Sequence, residues 1–340
     1  MKKYSDVHYG YVIVLCCCLI MGINVGLVMS CAGIFYRPVS EGLGVSVGTF
    51  GLYMSFNYLA STLALSVAGK LMDRFGARML LTLSSAVLGL CLIAMSFFTA
   101  VWQFYLAGGG IGVTLAFLMY LSFPTLINRW FKARVGFFIG VCSAASGIGG
   151  VLFNPVGAYL ISAYGWRATY GIFGSVILLL VTPVLGLLLR DCPEDKGTSP
   201  YGKEDRKTAA IAPSGVEYAK AIKMPVFYGM MAFAFLMISV STLNLFIPNY
   251  VTSLNYTLEQ ASLVASAVMV GVTVGKVVLG MINDKNNALG VATTVACGIA
   301  GLALLLMGHT GIPTVAGGGF LFGWAYAGVT VQTPMLVRAV

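Results

Sequence analysis

Apolar residues along this chain come in long unbroken blocks, and the polar residues collect in short intervals between them. Blocks long enough for the roughly 20 residues of a bilayer-spanning helix fall at 11–35, 48–68, 79–98, 102–127, 135–161, 169–189, 226–250, 261–282, 288–307 and 313–331. Their apolarity is continuous rather than alternating, so the pattern predicts helices, which satisfy their own backbone in lipid, and not the strands of a β-barrel. The expected fold class is an all-α polytopic membrane protein with about ten spans. One long polar interval, rich in Pro, Gly and mixed charge, divides the pattern. It predicts an N-terminal six-helix bundle over 1–190, a cytoplasmic linker over 191–224 and a C-terminal bundle of about four helices over 225–340.

Composition agrees with this class: 59% of residues are hydrophobic, 9% are charged, and the mean hydropathy is +0.91, against roughly 25% charged in soluble domains. The net charge of +9 would suggest nucleic acid in a soluble protein, but its distribution excludes that partner. With the amino terminus inside, the cytoplasmic side receives Lys2, Lys3, Lys70, Arg74, Arg78, Arg129, Lys132, Arg134, Arg190, Lys196, Lys203, Arg206, Lys207, Lys220, Lys223, Lys285 and Arg338, and the outer side only Arg37 and Arg167. That is the positive-inside asymmetry of a protein in the plasma (inner) membrane, whose partner is the bilayer. The block after Lys2 and Lys3 is too long for a signal-peptide core and is expected to remain as the first helix.

The remaining cation, Lys276, stands inside the otherwise uncharged eighth span, two helical turns or about 12 Å before Asp284 and Lys285. An ammonium there costs on the order of 2.5 to 3.5 kcal/mol on insertion scales, which marks it as a functional residue unless its stem snorkels to the nearer interface. Polar and aromatic residues near the middle of other spans outline a candidate cavity: Asn24, Tyr120, Asn154, Asn244, Trp324 and Tyr326. Each has a second reading as an interhelical packing group. The glycine-rich runs at 108–112 and 146–150 lack a nucleotide-binding pattern and lie within spans, so they are read as close-packing residues, as are Gly136, Gly140 and Ala144. Seven of the eight cysteines sit in apolar blocks and are read as packing residues. With two histidines in the chain, no metal or cofactor is expected.

A repeat supports the two-bundle division. Gly69-Lys70-Leu71-Met72-Asp73-Arg74 closes the second span and Gly280-Met281-Ile282-Asn283-Asp284-Lys285 the eighth, each reading Gly, three residues, Asp and a base. Aligning Asp284 with Asp73 sets Lys276 opposite the apolar Leu65.

The stretch Gly69-Lys70-Leu71-Met72-Asp73-Arg74-Phe75-Gly76-Ala77-Arg78 resembles the signature between helices two and three of the major facilitator superfamily, a fold of two six-helix bundles. The resemblance covers the whole chain, with about ten of the usual twelve helices and an end at Val340 expected to be a truncation. It implies that Gly69, Asp73, Arg74, Gly76 and Arg78, with Gly280, Asp284 and Lys285, belong to a conformational gate on the cytoplasmic side. Arg129-Trp130-Phe131-Lys132-Ala133-Arg134, Gly165-Trp166-Arg167 and Gly275-Lys276 further resemble the oxalate:formate antiporters and monocarboxylate transporters. In that group a base at the position of Lys276, usually Arg, anchors a substrate carboxylate; Lys supplies charge without the bidentate fork. The function so implied is a monomeric secondary transporter of a small organic anion. No Asp or Glu lies deep in a span, which favours anion exchange, or symport with protons handled elsewhere, over a carboxylate proton relay. A non-transporting sensor or truncated relic, or a carrier of a non-anionic solute, are the alternatives. No paired nucleophile and base point to an enzyme.

Overall fold

The computed structural model describes residues 8–202, 224–283, 286–308 and 311–338. Asp284 and Lys285 of the repeat, and most of the predicted linker, lie outside these residues. The described chain is helical, with one isolated bridge between Phe131 and Tyr201. Its helices are α1 (Gly10–Leu43), α2 (Val47–Phe75), α3 (Ala77–Met95), α4 (Val101–Trp130), α5 (135–164), α6 (166–188), α7 (Pro225–Ser253), α8 (Leu258–Asn283), α9 (Asn287–Leu306) and α10 (Ile312–Arg338).

Local chemistry sets the ends. Ser46 caps α2 by accepting from the Thr49 N–H at 3.0 Å, and Asn286 caps α9 by accepting from Ala288 and Leu289. The predicted gap between 161 and 169 is absent: α5 and α6 meet at Gly165 alone, whose φ of 80° reverses the chain where a residue with a Cβ would be strained. Prolines bend the spans where they remove an N–H. Widened π-helical turns at Ala116–Leu121 and Ile177–Val181 come just before Pro124 and Pro183. In α7, Pro248 cannot bond the Asn244 carbonyl, which instead accepts from the Ile247 N–H and tightens 242–246 into a 3-10 turn.

Contacts divide the chain into two units. One contains Met1–Gly149 and Tyr159–Asp205, the other Gly150–Ala158 and Arg206–Val340. The second unit thus takes a stretch of α5 from within the sequence predicted for the first bundle. A physical reason is at hand: Pro155 has no N–H for the Val151 carbonyl, and the Ser266 hydroxyl of α8 donates to that oxygen at 3.2 Å.

In the first unit, Trp130, Tyr36, Phe35, Phe50 and Phe104 are fully buried. Asn24 donates to Ser85 Oγ (3.0 Å), and the Thr182 hydroxyl donates to the same oxygen (3.0 Å), tying α1, α3 and α6. The core of the second unit gathers Ile247 and Val251 of α7, Val264 and Val268 of α8, Leu305 of α9 and Phe322 of α10.

Close helix crossings recur in both units at one constant offset along the chain. A Cβ on Gly108 or Gly112 of α4 would run into the backbone oxygen of Tyr53 or Asn57 of α2. The offset that carries Gly69 onto Gly280 carries these residues onto Gly319, Gly323, Val264 and Val268, and there Gly319 and Gly323 of α10 meet the same residues of α8. Gly136 and Gly140 correct the packing expectation: a Cβ on either meets nothing within 4 Å among the described residues. Both occupy an open face of α5, whereas Gly149 lies directly against Gly22 of α1.

Candidate functional site

Lys276 lies half-buried in α8. The residue before it, Gly275, lets α10 approach so closely that a Cβ there would lie 3.1 Å from Trp324 Cα and 2.8 Å from Ala327 Cβ. Gly275, the chain neighbour of Lys276, thus packs α8 against the turn of α10 that carries Trp324. The indole Nε1 of Trp324 is buried and donates to no acceptor in the protein among the described residues. A charged donor and an unspent neutral donor on adjoining helices form an arrangement suited to an anion.

The other predicted cavity residues divide between the two units. Tyr326, two residues beyond Trp324, packs on the apolar core of the second unit. Asn244 is buried in the 3-10 turn of α7. Asn154 is fully buried in α5, its Nδ2 donating to the Gly150 carbonyl of its own helix at 2.7 Å. Asn24 and Tyr120 belong to the first unit. Asn24 has no exposed surface and serves the α1–α3–α6 tie, and Tyr120 is exposed at the π-helical turn of α4.

The predicted gating residues of the first repeat are engaged within their own unit. Asp73 accepts from Arg129 Nη2 of α4 at 2.9 Å. Arg74 lies over the Phe75 ring at 5.4 Å. Gly76, with φ 83°, turns α2 into α3. The Arg78 N–H donates to Asp191 Oδ1 at 2.6 Å, placing a carboxylate at the start of α3, the end where the helix dipole favours negative charge. The Arg78 guanidinium donates through Nε and Nη2 to the Gly186 carbonyl near the end of α6. Gly69 and Gly280 face open space among the described residues.

Sequence reasoning missed Asp191 and the strap that follows it. Residues 190–202 cross the same end of the unit. Tyr201 donates its N–H to the Trp130 carbonyl and accepts from Lys132, while His8 Nε2 bonds the Ser199 carbonyl at 2.9 Å. Trp130 Nε1 donates to Arg190 O, and Lys196 stands over the Tyr9 ring at 4.9 Å. The only cue in the sequence was an acidic residue two positions after a span.

A family profile described as Major Facilitator Superfamily matches residues 14–339, nearly the whole chain. The chain belongs to the major facilitator superfamily. Among curated relatives of this superfamily member are a probable transporter, MCH2, of Saccharomyces cerevisiae (25% identical over 63% of this chain and 44% of the relative) and monocarboxylate transporter 4 of Mus musculus (26% over 59% and 43%). An uncharacterized MFS-type transporter, YhjX, of Escherichia coli is 27% identical over 74% of this chain and 62% of the relative. The matches span about half the length of these relatives. Among solved structures, a bacterial homolog of the human lysosomal transporter Spinster superposes with a TM-score of 0.73 at 15% identity, covering 100% of this chain and 79% of that one. A D-xylose-proton symporter gives 0.62 at 16%, over 96% and 80%. At such identities the likeness establishes the fold alone. The family and its fold are those of integral membrane transporters, not enzymes.

Proposed function

We propose that this major facilitator protein is a secondary transporter of a small organic anion, a mono- or dicarboxylate, held against Lys276 and moved by alternating access. One observation carries the reading: a lysine within an apolar membrane helix, next in the chain to the glycine that packs on the helix turn of Trp324, whose buried indole N–H has no acceptor among the described residues. A charge at that depth is expensive, and an anionic substrate offsets the expense. The carboxylate contributes charge and two acceptor oxygens; Lys276 supplies the charge-assisted bond and Trp324 a neutral one. The monocarboxylate transporter named among the relatives supports this substrate class. Since no Asp or Glu lies deep in a span, the mode that fits is exchange of one anion for another, with Lys276 charged in both directions. Gly69, Asp73, Arg74, Gly76, Arg78 and Gly280, with Asp284 and Lys285, form the gating ends of the two repeats. The basic loops put the amino terminus on the cytoplasmic face of the plasma membrane, and the working unit is a monomer.

The test is uptake of a labelled carboxylate panel into proteoliposomes. Lys276→Gln should lower kcat/KM for the transported anion by about 10- to 100-fold, the scale of a lost hydrogen bond to a charged group. Lys276→Arg should retain most of it. Undiminished transport by Lys276→Gln would remove the anchor.

A further inference from the structure

The first unit carries a groove that transport does not explain. It is a shallow, open depression of about 590 Å³ along one face of α6, lined by that helix alone from Ala168 through Ile172, Ser175 and Val176 to Leu179 and Leu180. Leu179 and Leu180 at its far end are exposed. From Ala168 to Leu180 the groove is about 18 Å long at 1.5 Å per residue. That is close to the roughly 15 Å of one leaflet, half of a 30 Å hydrocarbon core.

Arg167 stands immediately at the head of this groove. Its guanidinium lies over the Trp166 ring at 4.2 Å, and Nη1 donates to the carbonyls of Phe98 (2.6 Å) and Ser96 (3.3 Å) at the end of α3. Nε and Nη2, the two nitrogens of one guanidinium edge, make no hydrogen bond among the described residues, and the residue is exposed. Arg37, the other cation assigned to this face, is paired with Glu41 at 2.7 Å. Arg167 thus differs from Arg37 in having no carboxylate: it is fixed in place by neutral carbonyls with a bidentate edge to spare. Tyr164, three residues earlier in the chain, is an exposed aromatic of the kind found at the headgroup level.

We infer that this face of α6 is a binding site for a single phospholipid, whose phosphate sits on the Nε/Nη2 edge of Arg167 and one of whose acyl chains lies in the groove from Ala168 to Leu180. The apolar groove alone would accept any hydrocarbon; the unpaired cation at its head selects a lipid with an anionic headgroup group. The leaflet is the one on the side of Arg167. This inference is independent of the transported substrate.

The test reconstitutes the full chain with two photoactivatable lipids that share a diazirine-bearing acyl chain, one a phosphatidylglycerol and the other an uncharged diacylglycerol. Cross-linked peptides are mapped by mass spectrometry. Phosphatidylglycerol should label 168–180 about fivefold more than diacylglycerol does, the factor for about 1 kcal/mol per cation near the membrane surface. Arg167→Gln should remove that preference and Arg167→Lys should keep part of it. Ser175→Phe, which fills the groove without touching Arg167, should lower the labelling likewise, so that a folding defect in one variant does not decide the result. Equal labelling by the two lipids, an unchanged preference in Arg167→Gln, or undiminished labelling in Ser175→Phe overturns the site. So does a Ser175→Cys disulfide between two chains at high lipid-to-protein ratio, which would put a second copy on this face.

Discussion

The α2–α4 crossing in the first unit and the α8–α10 crossing in the second are the same piece of construction with different contents. In each, two glycines one turn apart lie against backbone oxygens of the partner helix, and one offset maps the first set onto the second. Beside this shared frame the side chains diverge. The first crossing carries Asn57 and Ser61, with the Ser61 hydroxyl donating to the Gly112 carbonyl at 2.8 Å; the second has Val268 and Val272 there. The first has Leu65 and Val113 where the second has Lys276 and Trp324. Glycine contacts are what any such crossing requires, since helices approach closely in lipid only through small residues. The ammonium and the indole N–H are required by no frame, because the other copy does without them.

The comparison breaks most severely at the glycines. Gly112→Leu and Gly323→Leu should each destabilise by at least the 1–3 kcal/mol typical of overpacking, since the added atoms meet backbone rather than a movable side chain. Thermal unfolding in detergent should show similar losses for the two, and a large difference would end the equivalence. Next in size is an exchange, Leu65→Lys with Lys276→Leu. If the cation acts only beside Trp324, the exchange variant should stay about 10- to 100-fold down in carboxylate uptake; restored uptake would make the two crossings interchangeable. Trp324→Phe keeps the ring and removes the donor, so KM for the anion should rise about three- to tenfold. The smallest effect belongs to Asn57→Val. The buried Asn57 amide has no partner in the protein among the described residues, so the valine found at the matching position should leave stability unchanged or raise it by up to about 1 kcal/mol.

How far the sequence discloses this molecule depends on the length scale of each feature. Spans are legible because about 20 apolar residues leave no other solution in lipid. Their ends are less so: α2 continues as helix through Lys70, Asp73 and Arg74 to Phe75, because a helix does not stop where the bilayer does. Pro124 and Pro183 announce bends, but nothing announces the π-helical stretch of α1, whose residues Ile20–Ser30 include no proline. Lys276 is conspicuous as a lone charge. Its neighbour Trp324 was identifiable only as an aromatic near midspan, and the close approach at Gly275 that joins them needed coordinates. Asn24 shows the limit plainly: its polarity marked it, while its partner Ser85 lies two helices away in the sequence. The Asp73–Arg129 and Arg78–Asp191 contacts share that difficulty, for polar groups on separate elements carry no record of which will meet.

The strap formed by residues 190–202 bears on the order in which the protein is made. Asp191, which receives the Arg78 N–H, and Tyr201, which closes on Trp130 and Lys132, leave the ribosome after every helix of the first unit has been synthesised. Until then α3 starts without its anion and the turn after α4 lacks its bridge. A nascent chain ending at Leu188 would hold all six helices with that end unfastened, while one ending at Gly202 would hold the same helices latched. Those thirteen strap residues, all outside the predicted spans, complete the assembly that the membrane began.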